Sequence, residues 1–315
     1  MQVQSQLLFH VIRPGILTTF QDMGRSGYQQ YGVPVSGAMD RFALQLANIL
    51  VGNSRSAACL EITLLGPVLK ACTTLTIAIT GADLEAKVNE RNIPLWTTVS
   101  MHKGDKLTFG KHQSGVRAYI AVAGGFEAPG VFGSMATDVK AGFGAPIERS
   151  EHIYGFPVDA PSGIGLQKRF IPTYKKAIEV AVVEGPHTHL FTKEGHDHFF
   201  SSIHTVDANS NRMGYRLTSN KVEVKKDAEI FSDAVPFGGV QIPSNGQPII
   251  LMADRQTTGG YPRIGTVISS DLHKIAQLVP KGEITFKPIS VEVAQERAIK
   301  MEKFLREVDI FRKAL

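Results

Sequence analysis

The chain has 315 residues, 43% of them hydrophobic, which is enough to bury cores of ordinary size and long enough to predict two domains. Lys and Arg number 34 against 29 Asp and Glu, giving a net charge of +5 and an isoelectric point near 9.1. The basic residues form no blocks and no alternation with aromatics, which argues against a nucleic-acid groove and leaves a mild field that favours an anionic small-molecule substrate. No apolar run approaches the roughly 20 residues of a membrane span. The amino terminus has no basic stretch followed by an apolar core. A cytoplasmic protein with no membrane contact is therefore expected.

In chain order, the first unusual segment runs from Asp22 to Asp40: Asp-Met-Gly-Arg-Ser-Gly-Tyr-Gln-Gln-Tyr-Gly-Val-Pro-Val-Ser-Gly-Ala-Met-Asp. It leads into Met39, Phe42, Ala43, Leu46 and Leu50, whose three-four spacing predicts a helix. Cys59 and Cys72 lie among apolar neighbours with no metal or disulfide spacing, and read as reduced core residues. Strand-like runs recur at 75–80, 118–123, 178–183, 222–224, 249–253 and 284–286, separated by Gly, Pro and Asn. Their frequency predicts a mainly β protein built from closed barrels. A boundary is expected near 157–168, where periodicity fades.

His187, His189, His196 and His198 cluster in sequence and tempt a zinc assignment. Thr192-Lys-Glu-Gly before the second pair reads as a helix start, and residues two apart on a helix diverge, so surface histidines and no metal site are expected.

The densest segment follows the apolar run at 249–252. It is Ala253-Asp-Arg-Gln-Thr-Thr-Gly-Gly-Tyr-Pro-Arg-Ile-Gly-Thr266. Gly259-Gly260 can take φ > 0 and let backbone N–H groups come close to a ligand, while Asp254, Arg255, Tyr261 and Arg263 supply an acceptor, two cations and a phenol. An elaborate surface loop is the competing reading. Both this segment and 22–40 run from Asp through Gly-Tyr to a Gly four residues after the Tyr, and a helical pattern follows each (Leu272, Ile275, Ala276 and Leu278 here). A diverged duplication would explain this, with Tyr28 matching Tyr261 and Gly32 matching Gly265. Finally, Ser290 as N-cap and Val291, Ala294, Ala298, Met301, Leu305 and Val308 predict an amphipathic helix over 290–315 with a narrow apolar stripe. Docking on its own barrel is favoured over gripping a partner.

No phosphate-binding loop, nucleophile elbow or dinucleotide fingerprint occurs, so any nucleotide or biotin chemistry is expected to belong to another chain. Pro14 to Arg25, Gly32 to Arg41, Leu60-Glu-Ile-Thr63, Thr80-Gly-Ala-Asp83, Asn211-Arg-Met-Gly-Tyr-Arg216 and Ala253 to Thr266 together resemble the KipA family, that of the 5-oxoprolinase C subunits, over nearly the whole chain. That family is similar to subdomains C and D of biotin-dependent carboxyltransferases such as urea carboxylase, and to allophanate hydrolase subunit 2.

The resemblance implies two cyclophilin-like β-barrels, at 1–165 and 166–289, followed by the C-terminal helix at 290–315. As partners it implies the KipI-like B and LamB/YcsF-like A subunits, and as activity the ATP-dependent opening of 5-oxoproline to glutamate, with ATP bound by the complex. Two alternatives remain. One is biotin-dependent carboxyl transfer to an amide nitrogen, with biotin presented by another protein. The other is non-catalytic antagonism of a KipI-like inhibitor of a histidine kinase. A stand-alone small-molecule-binding barrel is a further reading, and would be a monomer indifferent to any such partner.

Within the first reading, Arg25, Arg212 and Arg255 are candidates to hold a carboxylate or polarise a carbonyl. Asp22 and Asp254 are candidates to orient or take a proton from nitrogen, and Tyr28 or Tyr261 to return one. Ser36, Gln256, Thr257, Thr258, Gly259 and Gly260 complete the expected substrate contacts. Each aspartate capping its own turn is the competing reading. The chain departs from the family pattern in carrying Met135 after Ser134, where a polar residue is usual, which puts a ligand role for that loop in doubt.

Overall fold

The computed structural model describes residues 4–225 and 230–314. The fold is mainly β, with four α-helices among the described residues. The chain forms two compact units, one of residues 4–25, 36–174 and 304–314, the other of 26–35 and the described part of 175–303. The chain thus passes from one unit to the other at Tyr174/Lys175, some way beyond the 157–168 stretch, because 163–166 is still bonded to the first unit: Gly163 N donates to Thr98 O (2.8 Å) and Leu166 N to Trp96 O (2.9 Å). Residues 26–35, inside the first polar segment, belong to the second unit.

The first unit distributes its strands over two antiparallel sheets. One has seven strands in the order Phe126–Glu127, His152–Gly155, Gln6–Arg13, Val68–Ala71, Lys106–Phe109, Ala86–Val88, Arg91–Asn92. The other has five, in the order Leu17–Gln21, Cys59–Thr63, Ser114–Val122, Leu75–Asp83, Thr98–Met101. Alternation places Phe9, Val11, Leu69 and Leu107 of the first and Leu60, Ile62, Ile77 and Ile120 of the second in a single apolar core. Helix α1 (Arg41–Val51) covers the other face of the five-stranded sheet and is almost wholly buried. Its start is set by Asp40, whose carboxylate accepts from Ala43 N (2.8 Å), and its end by Gly52 at φ 84°. Cys59 is buried, and burial raises its thiol pKa, whereas Cys72 is partly exposed in a turn and so is not a core residue.

The second unit closes into a barrel of seven strands: Ala177–Glu184, Arg263–Val267, Gly239–Gln241, Ile249–Leu251, Gly214–Thr218, His204–Val206 and Glu283–Pro288, the last pairing in parallel with the first. The expected strand at 222–224 does not form; Val222 is buried and Val224 makes only an isolated bridge to Phe191. Helix α2 (Lys193–Ser201) begins at Thr192, whose hydroxyl accepts from Gly195 N, and seats Phe199 stacked 4.5 Å from Phe286. Helix α3 spans Leu272–Ala276.

Helix α4 (Val291–Lys313) forms as its stripe predicts, with Leu305 buried and Ala294, Ala298, Met301 and Val308 half-buried. Val291 is exposed. Residues 304–314 group with the first unit, where Phe304 packs on Phe42 and Phe170 (6.1 and 5.1 Å) and Arg312 Nε donates to Leu50 O (2.8 Å).

The duplication reading fails. Both tyrosines lie in the second unit: Tyr28 precedes a 3-10 turn at Gln29–Tyr31, and Tyr261 precedes a strand. Gly32 is left-handed at φ 79°, but Gly265 lies mid-strand with no positive φ, its missing Cβ making room for Val182 Cγ1. Matched spacing arose on unlike connections.

Candidate active site

In the barrel unit, the segment after Ile249–Leu251 returns beside residues 233–236. Asp233–Ala234 pairs with Thr258–Gly259 as a short antiparallel ribbon, and Val235 N donates to Thr257 O (3.1 Å). This ribbon and residues 26–35 border a cleft of about 350 Å³ lined by Gln29, Val35, Ala234, Val235, Pro236, Arg255, Gln256, Thr257 and Arg263. Two guanidinium groups, two amides and one hydroxyl therefore share one concave surface with an apolar floor, a composition suited to a small ligand bearing a carboxylate and an amide.

Each cation is held by backbone. Arg255 Nε donates to Val235 O (3.0 Å) and Nη1 to Met252 O (3.4 Å), with its guanidinium carbon 5.5 Å from the centre of the Phe237 ring. Arg263 Nη1 donates to Ala234 O (3.0 Å). Burial, then the positive charge of Arg263, depresses the pKa of His187, whose Nδ1 accepts from Arg263 N (3.2 Å). His196 lies 3.6 Å from Glu184, and no group of three or more metal-ligating side chains occurs among the described residues.

Of the residues singled out from sequence, Arg255, Gln256, Thr257 and Arg263 line this cleft. Arg212 and Asp254 instead face each other, Nε to Oδ2 at 2.7 Å and Nη2 to Oδ1 at 2.8 Å. Thr258, Gly259, Gly260 and Tyr261 belong to the ribbon and the turn after it, and Tyr261 is half exposed. Neither glycine has a positive φ, contrary to expectation; a Cβ at Gly259 would come within 2.7 Å of Nε2 of buried Gln241, whose amide would have to shift. Tyr28 is half-buried and lies outside the lining, which takes its neighbour Gln29 instead.

The three remaining residues, all in the first unit, are occupied in holding loops together. Asp22 accepts from Gly24 N, Ser134 Oγ and Met135 N, each at 2.7 Å. Buried Arg25 donates to the carbonyls of Ala136 and Val131 and lies 4.7 Å over the Phe143 ring. Ser36, fully buried at φ 56°, donates to Asp138 Oδ2 (2.8 Å). Gly37 lets the chain cross Gly24, where a Cβ would meet backbone at 2.7 Å. Met135 lines a separate cavity of about 530 Å³ in that unit, with Phe20, Pro146 and Arg149.

Sequence reading missed Gln29 and the 234–236 wall. The polar character of 26–35 was legible, but its place in the barrel unit was not.

Residues 31–288 match a family model described as carboxyltransferase domain, subdomain A and B, a subdomain label that differs from the C and D of the sequence resemblance. The C subunit of the Escherichia coli 5-oxoprolinase is 36% identical over 303 residues, covering 96% of this chain and 97% of that protein. The Haemophilus influenzae protein of the same name is 32% identical, covering 92% and 94%. The solved structure of the Kluyveromyces lactis urea amidolyase superposes with a TM-score of 0.89 at 30% identity, over 97% of this chain and 20% of that much longer one. No helix of the described residues is long and apolar enough to cross a membrane. The chain belongs to the carboxyltransferase domain family that includes the 5-oxoprolinase C subunits together with a part of urea amidolyase.

Proposed function

We propose that this chain is the C subunit of a cytoplasmic, ATP-dependent 5-oxoprolinase. It acts with KipI-like and LamB/YcsF-like partners and is inactive alone. The observation that carries the reading is the cleft, where Arg255 and Arg263 stand with Gln29, Gln256 and Thr257. A 5-oxoproline molecule carries one carboxylate, one ring N–H and one ring carbonyl. The guanidinium groups suit the carboxylate, and the side-chain amides and hydroxyl suit the lactam. Ring opening adds water across the C–N bond: the carbonyl carbon gains oxygen, the nitrogen gains the proton, and glutamate results.

ATP, when bound by the complex, supplies the activation of the carbonyl. Among the described residues, the N-termini of α1 and α2 do not suit the nucleotide. The N-terminus of α1 already carries the Asp40 carboxylate on Ala43 N and that of α2 the Thr192 hydroxyl on Gly195 N, which disfavours a phosphate at either. No step is assigned to ATP on these residues.

Biotin-dependent carboxyl transfer to an amide nitrogen, with biotin carried by another protein, is the second reading, favoured by the TM-score of 0.89 to urea amidolyase. The first reading is preferred because this chain matches 97% of a 5-oxoprolinase relative but only 20% of the amidolyase structure.

The test is glutamate release from 5-oxoproline and ATP by the chain with both partner subunits. Arg255→Ala is expected to lower kcat/KM about 10- to 100-fold, the range of a lost hydrogen bond to a charged group. Arg255→Lys should restore little, because an ammonium cannot replace a planar fork. Unchanged kcat/KM in Arg255→Ala removes the cleft from the reaction. Glutamate release by the isolated chain refutes the dependence on partners.

A further inference from the structure

We infer that Arg212 and Asp254 act through Arg255 as positioning residues, neither carrying protons nor binding carboxylate themselves; this rests on the reading of the cleft as the substrate site. The two residues lie beyond the ends of paired strands, where Gly214 stands opposite Leu251. Backbone and side chains lock them twice. Asp254 N donates to Arg212 O (2.9 Å) and Met252 N to Met213 O (2.9 Å), while the side chains form a two-point fork at 2.7 and 2.8 Å. At 11% and 10% side-chain exposure, water competes little with that fork, and both carboxylate oxygens already face Arg212.

The residue that follows is Arg255, which reaches the cleft. Its Nε–H is aimed at Val235 O and its Nη1 at Met252 O, so its direction depends on how the 252–255 backbone, which carries both its Cα and the second acceptor, sits against the 233–236 wall. The fork fixes that backbone against the neighbouring strand. A planar guanidinium paired at two points sets orientation as well as distance, which a lysine of equal charge cannot do.

The experiment compares Asp254→Asn and Arg212→Lys in the full chain, with its partner subunits for turnover and by side-chain arginine ¹⁵N NMR for the Arg255 Nε–H. Both variants are expected to fold, to lose the distinct, exchange-protected Arg255 Nε–H signal, and to lower kcat/KM on the order of 100-fold, the effect of displacing a binding group by about 1 Å. The loss should lie mainly in KM, and the pH profile of kcat should keep its shape. Loss of the acidic limb of that profile in Asp254→Asn, with the Arg255 signal intact, would make Asp254 a proton carrier and overturn the inference. A preserved signal with wild-type KM would overturn it too. If Asp254→Asn does not fold, Arg212→Lys alone decides, because it keeps the charge and removes only the fork. Failure of the wild-type complex to release glutamate sinks the substrate reading, yet leaves the Arg255 signal to confirm or refute the positioning role.

Discussion

Asp22 is where a chemical and a structural assignment can be separated most cleanly. Its carboxylate accepts three hydrogen bonds of 2.7 Å, from Gly24 N and Ser134 Oγ on one oxygen and from Met135 N on the other, and the residue is 8% exposed. Hydrogen bonds to a charged group are worth about 1.5–3 kcal/mol each. Taking the low end and allowing for the part-exposed Gly24 amide, Asp22→Ala should cost the first unit about 3–4 kcal/mol. For a unit of this size that corresponds to a fall in melting temperature of roughly 6–16 °C.

Asp22→Asn should recover only part of the loss. Its amide can face Ser134, whose hydroxyl also accepts, but whichever way it turns it sets an N–H donor against either Gly24 N or Met135 N. The assay is urea unfolding of the full chain followed by fluorescence and circular dichroism, with turnover of the reconstituted complex measured per folded molecule. A large stability loss with near-normal turnover in the folded fraction is expected. Unchanged unfolding together with abolished turnover would refute the structural assignment and return Asp22 to the chemistry.

The interior of the barrel should be acid-sensitive through His204. Burial lowers the pKa of this histidine below its ordinary 6.5; its Nε2 lies 2.8 Å from Phe199 O, and its ring sits beside the stacked Phe199 and Phe286 rings, 5.3 and 5.0 Å from their centres. Protonation would add an N–H at buried Nδ1, which has no acceptor among the described residues. The unfolded chain therefore binds the proton first, so the stability His204 contributes is present above pH 6.5 and is lost as pH falls below it toward the folded pKa. His204→Phe should cost about 1 kcal/mol at neutral pH, for the lost bond to Phe199 O, and flatten that acid limb in denaturant titrations at several pH values; an unchanged acid limb would show that another group is responsible. Gly259→Ala should destabilise the ribbon by about 1–3 kcal/mol, since its Cβ must displace Gln241 Nε2 at 2.7 Å, and wild-type thermal stability would refute that packing account. Phe304→Ala should cost about 2–3 kcal/mol, less than a fully buried Phe, because it loses Phe42 and Phe170; a drop under 0.5 kcal/mol on calorimetry would mean that the end of α4 is not docked as described.

The regular elements were legible where local chemistry and burial agree. Asp40 and Gly52 bound α1 by mechanisms that operate within four residues, and the Ala294 to Val308 stripe of α4 turns its less exposed side inward. Val222 marks the limit of that logic. Its side chain is fully buried and its N–H is satisfied by Gly246 O (3.0 Å), so burial alone produced the apolar signal and no ladder was required. The polar loops were harder still, because one residue type serves two purposes. Asp22 meets Ser134 across 112 positions, and Ser36 meets Asp138 across 102. Nothing within the Asp22 to Asp40 segment indicates that its acidic and hydroxyl side chains are already engaged by a distant loop.

The two polar segments therefore differ in kind despite their shared grammar. In the first, charge is turned inward: buried Arg25 donates to the carbonyls of Ala136 and Val131, and a ligand would have to compete with bonds that hold the loops in place. In the second, Arg255 and Arg263 each donate to nearby carbonyls and line a cleft, which orients planar donor groups at its wall. A carboxylate partner, as in Arg212–Asp254, both satisfies a guanidinium and neutralises it. Among the arginines singled out from sequence, access to a cavity, more than the density of polar residues, separates Arg255 and Arg263, which line the cleft, from Arg25 and Arg212, which hold protein groups in place.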